Sequence, residues 1–188
     1  MELTDAALHI IATRGIAALS TRSLAEEVGL SSGAIFRHFA SLAALLDAVV
    51  TRVEEVLDSS YPPAGLPALE RLLQFVSNRS EAVGERVGIL RLVLSEQFLL
   101  ALPSDGAARL SLCIDKTRDF LDACVRDGQR SGEIRDEVDP NALALVVMGT
   151  VQMLALSRAK PRQRAKDARV VRETLEALLR PAAREELG

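Results

Sequence analysis

The chain has 188 residues, long enough to bury a core, and 48% of them are apolar although aromatics make up only 3% and tryptophan is absent. Leu, Ala and Val therefore supply the apolar surface, which favours helix over strand, and the 26% of charged residues argue against disorder. A net charge of −3 excludes a globally basic nucleic-acid binder, so any DNA-reading surface has to be local.

Helix signals recur along the chain and strand signals do not. Leu3, Ala6, Ala7, Ile10 and Ile11 share one helical face, and Gly15 stops that helix. A short helix follows Thr21, with Leu24, Ala25 and Val28 inward and Gly29 as its stop. Ser31 caps a third helix from Ser32 to His38. Ser41 caps a fourth, carrying Leu45, Leu46, Val49, Val53, Val56 and Leu57 as far as about Ser60. Tyr61-Pro62-Pro63-Ala64-Gly65 breaks helix and marks a domain boundary. Pro67 starts a helix through Phe75 and Val76, another spans roughly Glu85 to Leu100 before Pro103, and a long one runs from Ser104 to Ser131-Gly132. Asp139-Pro140, an acidic cap followed by proline at the first helical position, starts a helix that reaches about Leu156. The basic run Arg158, Lys160, Arg162, Arg164, Lys166 is expected to be a solvated loop before a last helix through Val170, Val171, Leu175, Leu178 and Leu179.

Met1 to Asp5 has two acids and no basic n-region, so no signal peptide is expected. The longest charge-free stretch, Asn141 to Leu156, is shorter than the ~20 residues a membrane crossing needs. Cys113 and Cys124 read as small core residues of a reducing compartment, about three turns apart if they share a helix. Together these features predict a cytoplasmic protein with no membrane partner.

The informative stretch is Leu19 to Leu46, LSTRSLAEEVGLSSGAIFRHFASLAALL. Two helices of about two turns are joined by Gly29-Leu30-Ser31, a turn so tight that they must cross steeply, and Gly29 supplies its left-handed residue. Ala25 is small where they approach, and Leu24, Val28, Leu30 and Ile35 are expected to pack inside. That leaves Ser32, Gly33, Ala34, Arg37 and His38 outward on a helix whose short side chains allow close approach to base edges in a major groove.

This segment resembles the DNA-binding head of the TetR family of regulators. The resemblance is carried by Gly15, Leu19, Leu24-Ala25, Gly29-Leu30-Ser31, Gly33, Phe36, Phe39, Ser41, Leu45 and Leu46, in order and at the family's spacing. It implies an all-α fold of about nine helices: an N-terminal three-helix helix-turn-helix head over 1–46, a connecting helix and linker over 47–64, and a C-terminal helical bundle over 65–188 for effector binding and dimerisation. It also implies a DNA-contacting set of Thr21, Arg22, Ser31, Ser32, Gly33, Ala34, Phe36, Arg37 and His38. Three features depart from the family pattern. Phe36 stands where the family has tyrosine, Leu42 stands where it has lysine, and the basic arm before the first helix is absent. Over 1–50, three arginines face five acids, so DNA affinity should be modest with a shallow salt dependence.

A head needs only about fifty residues, so the remainder must serve other ends. Ala142 to Leu156 is apolar nearly all round, and a helix hydrophobic on every face must bury every face. Leu145, Gly149 and Gln152 on this helix, with Val171, Leu175 and Leu178 on the last one, are the expected homodimer interface. In the family the final two long helices bundle with the twin subunit, and Asp127 to Arg135 resembles that region's lead-in. Effectors of TetR relatives lie between the middle helices. Here Phe75, Leu90, Leu94, Phe98, Phe120 and Met148 would line such a cavity, with Arg91, Gln97 or Gln152 orienting a polar group.

The sequence therefore predicts a repressor that binds a palindromic operator in double-stranded DNA as a homodimer and is released by a small-molecule effector. The alternative is a dimeric helical ligand-binding or interaction module that has lost sequence-specific DNA binding, which the acidic head, Phe36 and Leu42 would favour. An enzyme is not expected, because no nucleophile–His–acid set, metal-ligand cluster or glycine-rich phosphate loop can be found. No metal and no cofactor are expected.

Overall fold

A computed structural model describes residues 3–85, 95–102, 105–157 and 160–182. Among them are nine α-helices and no strand: α1 (Leu3–Arg14), α2 (Thr21–Val28), α3 (Ser32–His38), α4 (Leu42–Asp58), α5 (Ala68–Glu85), α6 (Glu96–Ala101), α7 (Gly106–Ser131), α8 (Pro140–Leu156) and α9 (Pro161–Leu179). A 3-10 turn at Ile16–Ala18 joins α1 to α2. No single helix among the described residues is long and apolar enough to cross a membrane. The chain packs as two compact units, Met1–Ser59 with Ala82–Ile114 and Ser60–Glu81 with Asp115–Gly188.

The first unit is organised by α4. Its apolar residues recur every three or four positions, so Leu45, Val49, Val53 and Val56 form one buried stripe. Helix α1 packs on α4, and Ala6, Ala7 and Ile10 of α1, Leu24 of α2 and Ile35 of α3 are buried in the same unit. The start of α7 also belongs to this unit. Gly106 is buried there, and a Cβ on it would meet Leu102 at 3.3 Å and Val50 at 3.4 Å. One turn on, Arg109 grips the outer side of α4: Nη1 donates to Asp47 Oδ1 at 2.7 Å, Nη2 to Thr51 Oγ1 at 2.8 Å, and Nε to Glu54 Oε1 at 3.0 Å. Most of the helix expected from Glu85 to Leu100 lies outside the described residues, but it does not run through Ser95. Ser95 is extended, and its side chain accepts from the Phe98 N–H, starting α6 afresh. A serine that bonds local backbone competes with helix continuation, which the apolar periodicity alone does not register.

The second unit is built on α5, α7, α8 and α9. Leu72, Phe75 and Val76 of α5 meet Leu121, Cys124 and Val125 of α7, Val147 and Val151 of α8, and Leu175 and Leu179 of α9. Burial pushes the Cys124 thiol up to about 11, so this cysteine is a packing residue and not a nucleophile at neutral pH.

The segment Asp127 to Arg135 is the corner that ties these helices together. Asp127 accepts from Arg71 of α5 at 2.9 Å. Gly128 leaves room for the fully buried Ile134, whose Cδ1 lies 2.6 Å from where a Cβ would stand. The Gln129 amide donates to the carbonyls of Arg135 and Val138. Glu133 Oε2 accepts from the Leu69 N–H at 3.0 Å and so caps the start of α5 from across the chain. The Arg135 N–H donates to the Leu179 carbonyl at the end of α9.

Both acids of this corner sit below the ordinary carboxylate range, Asp127 through its bond from Arg71 and Glu133 through the Leu69 N–H. A lowered carboxylate stabilises the fold fully above its unfolded value and loses that contribution as pH falls through the folded one. Glu133→Gln is therefore expected to be less stable than wild type at pH 7, with the gap closing below about pH 4. Glu133→Ala should cost about 1 kcal/mol at neutral pH, the usual worth of a helix cap. Urea unfolding followed by circular dichroism at stepped pH measures both.

The basic run near the C-terminal end corrects a sequence-based expectation. It is helical from Pro161 onward, because proline at the first helical position starts α9 three residues before Arg164. Arg162, Arg164 and Lys166 therefore lie in the first turns of α9 and not in a loop. Arg158 lies outside the described residues.

Candidate nucleic-acid interface

The α2–turn–α3 element is set by local chemistry at each joint. Ser20 caps α2 in a reciprocal box with Ser23: each side chain accepts from the other's backbone N–H, at 3.0 and 2.9 Å. Gly29 ends α2 in the left-handed region at φ 71°, ψ 31°, which a side chain rarely adopts. The N–H groups of Gly29 and Leu30 both donate to the Ala25 carbonyl, closing the helix and turning the chain sharply. Ser31 is extended and caps α3, its Oγ accepting from the Ala34 N–H at 3.2 Å. The two helices pack on each other, and Leu24, Ala25 and Ile35 are all buried.

With Ile35 facing inward, the opposite side of α3 is left open. Ser32, Gly33, Phe36, Arg37 and His38 are exposed and Ala34 is partly buried. Positions 32 and 36, and 33 and 37, are four apart, so they form one outward strip. Ser31 and Arg22 are also exposed, and Thr21 is partly covered. Leu30 departs from expectation. It was expected inside but is 48% exposed, because the reversal at Gly29 carries it out of the α2–α3 seam.

The electrostatics of this face are narrow. Arg14 is ion-paired to Glu27, and Arg22 Nε lies 3.1 Å from Glu26 Oε1. Among the described arginines of residues 3–50, Arg37 alone has no ion pair, and it sits on the outward strip beside His38. An uncommitted cation on the exposed side of a capped, crossed helix pair is the arrangement that meets a phosphate backbone.

A family model for bacterial regulatory proteins of the tetR family matches residues 3–49. Residues 3–49 are a tetR-family head. Its curated relatives include the HTH-type transcriptional repressor KstR2 of Rhodococcus jostii, 25% identical over 142 residues that cover 73% of this chain and 69% of that one. The fatty acid metabolism regulator protein of Bacillus subtilis is 22% identical over 170 residues, 80% of this chain and 78% of that one. Among solved structures, a tetR-family regulatory protein from Rhodococcus RHA1 superposes with a TM-score of 0.75 at 19% identity, covering 96% of both chains. The all-helical tetR fold, with its N-terminal helix-turn-helix and C-terminal helical domain, is thus the fold of this chain, and a DNA-binding transcription regulator is its class.

The residues expected around an effector divide. Phe75, fully buried, and Phe120 come together with ring centroids 5.0 Å apart, and Met148 packs against the same core. Gln152 is partly buried in that unit as well. Gln97, exposed, and Phe98, buried, belong to the other unit. Leu90, Arg91 and Leu94 lie outside the described residues. The cluster also contains residues that sequence reasoning passed over. Tyr61, read only as part of a helix-breaking linker, lies 5.4 Å from Phe75 and 5.1 Å from Phe120, and its hydroxyl is 3.1 Å from Thr117 Oγ1. Arg79, only 3% exposed, stands 4.9 Å over the Phe75 ring and 5.4 Å over Tyr61, and Lys116 lies 5.0 Å from the Tyr61 ring as well. The usable signal was spacing: Arg79 follows Phe75 by four residues and shares its face of α5.

The expected dimer residues divide too. Leu145 is 68% exposed, and a Cβ on Gly149 would meet nothing within 4 Å. Leu178 is 57% exposed and Val171 partly buried. Leu175 is only 4% exposed and points the other way, into the core of its own unit. Val146, Met153 and Val170, which the sequence reading did not single out, are exposed apolar residues on the same two helices.

Proposed function

We propose that this protein is a cytoplasmic, ligand-responsive repressor that binds a two-fold symmetric operator as a homodimer and lets go when a small molecule enters its second unit. The observation that carries this reading is the outward strip of α3, with Arg37 as its uncommitted arginine on a matched tetR head. Residues 1–46 would read DNA, 47–64 would connect, and 65–188 would sense and dimerise. Thr21, Ser31, Ser32 and the backbone at Gly33 and Ala34 would supply neutral contacts around Arg37 and His38.

The exposed apolar face of α8 and α9 supports the dimer, because Leu145, Val146, Met153 and Leu178 lack an intramolecular cover that would justify their character. The Tyr61, Phe75 and Phe120 cluster with Arg79 and Lys116 beside it suits an effector with an apolar body and an acidic end. That one relative is a fatty acid metabolism regulator is consistent with such a ligand. A relay is available in α7, which carries Phe120 in the unit of the aromatic cluster and Arg109, gripping α4, in the unit of the head. An effector can act only through different affinities for the two conformers, so operator DNA must weaken effector binding by the same factor.

The test is a fluorescence anisotropy titration against duplexes enriched from random DNA, repeated with palmitate added. The expected result is a two-fold symmetric site bound by two protomers and weakened by the fatty acid. Failure to enrich any sequence at low salt would transfer the reading to a helical interaction module without DNA specificity.

A further inference from the structure

The DNA-facing strip is poor in charge and holds one large apolar group without a cover. Phe36 is 54% exposed, whereas Ile35 beside it is fully buried. On the strip its neighbours one turn back are Ser32 and Gly33, a hydroxymethyl and no side chain at all. A Cβ added at Gly33 would have only Ser31 Oγ at 4.0 Å. The ring therefore stands beside bare helix backbone, and nothing keeps that backbone from a close approach to a flat partner. Core packing does not explain the ring, and neither does phosphate binding, because a phenyl group has no donor.

In a major groove the apolar group on a base edge is the thymine 5-methyl. We propose that Phe36 is a specificity-determining residue of the head that recognises thymine through this methyl, once in each half-site. The proposal rests on the DNA-binding reading above. It assigns sequence discrimination to an apolar contact, while Arg37 supplies the attraction that does not depend on sequence.

The experiment uses the full chain and the enriched duplex. Each two-fold related pair of thymines is replaced in turn by deoxyuridine, which removes the methyl and keeps the hydrogen-bonding edge. Loss of one buried methyl corresponds to about four-fold in affinity, so a symmetric pair should cost about fifteen-fold at one position. Phe36→Ala should bind the thymine duplex about as weakly as wild type binds the deoxyuridine duplex, and should not distinguish the two. Phe36→Leu, which keeps an apolar contact, should retain part of the discrimination. Because the residue is half-exposed, the melting temperature of both variants should match wild type. A wild type indifferent to deoxyuridine at every position, or a Phe36→Ala protein with full methyl sensitivity, overturns the inference while leaving DNA binding intact. Failure to enrich any duplex removes the DNA-binding reading itself, so the two failures are told apart at the first step.

Discussion

Leu145→Glu combined with Met153→Glu is expected to turn a dimer into a soluble, folded monomer that no longer holds a two-half-site operator. The two residues are 68% and 69% exposed and lie eight positions apart on α8, with Gly149 between them on the same face. Their own fold does not need them, since Ala144, Val147, Val151 and Leu154 form the face of α8 that is buried in the second unit. A two-fold interface uses each residue twice, so the double variant places four carboxylates in it. Removing four apolar side chains from burial, at about 1.5 to 3 kcal/mol each, should raise the dimer dissociation constant by at least roughly a thousand-fold. Sedimentation equilibrium reads the change, and circular dichroism should show unchanged helix content. Leu175→Glu is the opposite control: it is buried, so it should unfold the protein without first passing through a folded monomer. A double variant that sediments as wild type would remove α8 from the interface.

The contrast between Leu145 and Leu175 also shows how far the sequence could be read. The all-helical tetR fold was legible because each helix of the head carries its own stop and start signals. Ser31 and Ser41 cap α3 and α4 as expected, and the left-handed Gly29 closes α2. The same held for Asp139-Pro140 at the start of α8, whose carboxylate accepts from the Ala142 N–H at 3.0 Å. What periodicity cannot give is the direction of an apolar face once a helix has more than one. On α9 it cannot separate Leu175, inside, from Leu178, outside, and on α8 it finds apolar residues all round. Long-range roles were equally hidden. Glu133 capping α5 from sixty-four residues away, and Arg109 spanning Asp47, Thr51 and Glu54, depend on tertiary approach and leave no local pattern. Tyr61 was missed because its proline neighbours marked it as linker, although its ring belongs to the aromatic cluster of the second unit.

The pairing of charges in the head leads to a second large effect, and to an opposite one. Arg37→Ala should weaken operator binding about ten- to a hundred-fold near 0.1 M salt. It should lower the slope of log affinity against log salt by about two, since each dimer loses two phosphate contacts worth about 0.9 apiece. Weakening should be nearly uniform across sequences, which separates the role of Arg37 from the thymine discrimination assigned to Phe36. Arg22 predicts a different outcome, because Glu26 already neutralises it one turn away on the same helix. Removing both partners together, Arg22→Ala with Glu26→Ala, should leave the slope near its wild-type value. Glu26→Gln alone should free the guanidinium and make binding both tighter and more salt-sensitive. The acids of the head would then act as a brake on counterion release, holding nonspecific affinity low so that discrimination falls to the groove contacts. If Glu26→Gln leaves the salt slope unchanged while Arg37→Ala reduces it, Arg22 is too far from the duplex to take part, and the contact surface narrows to the strip of α3.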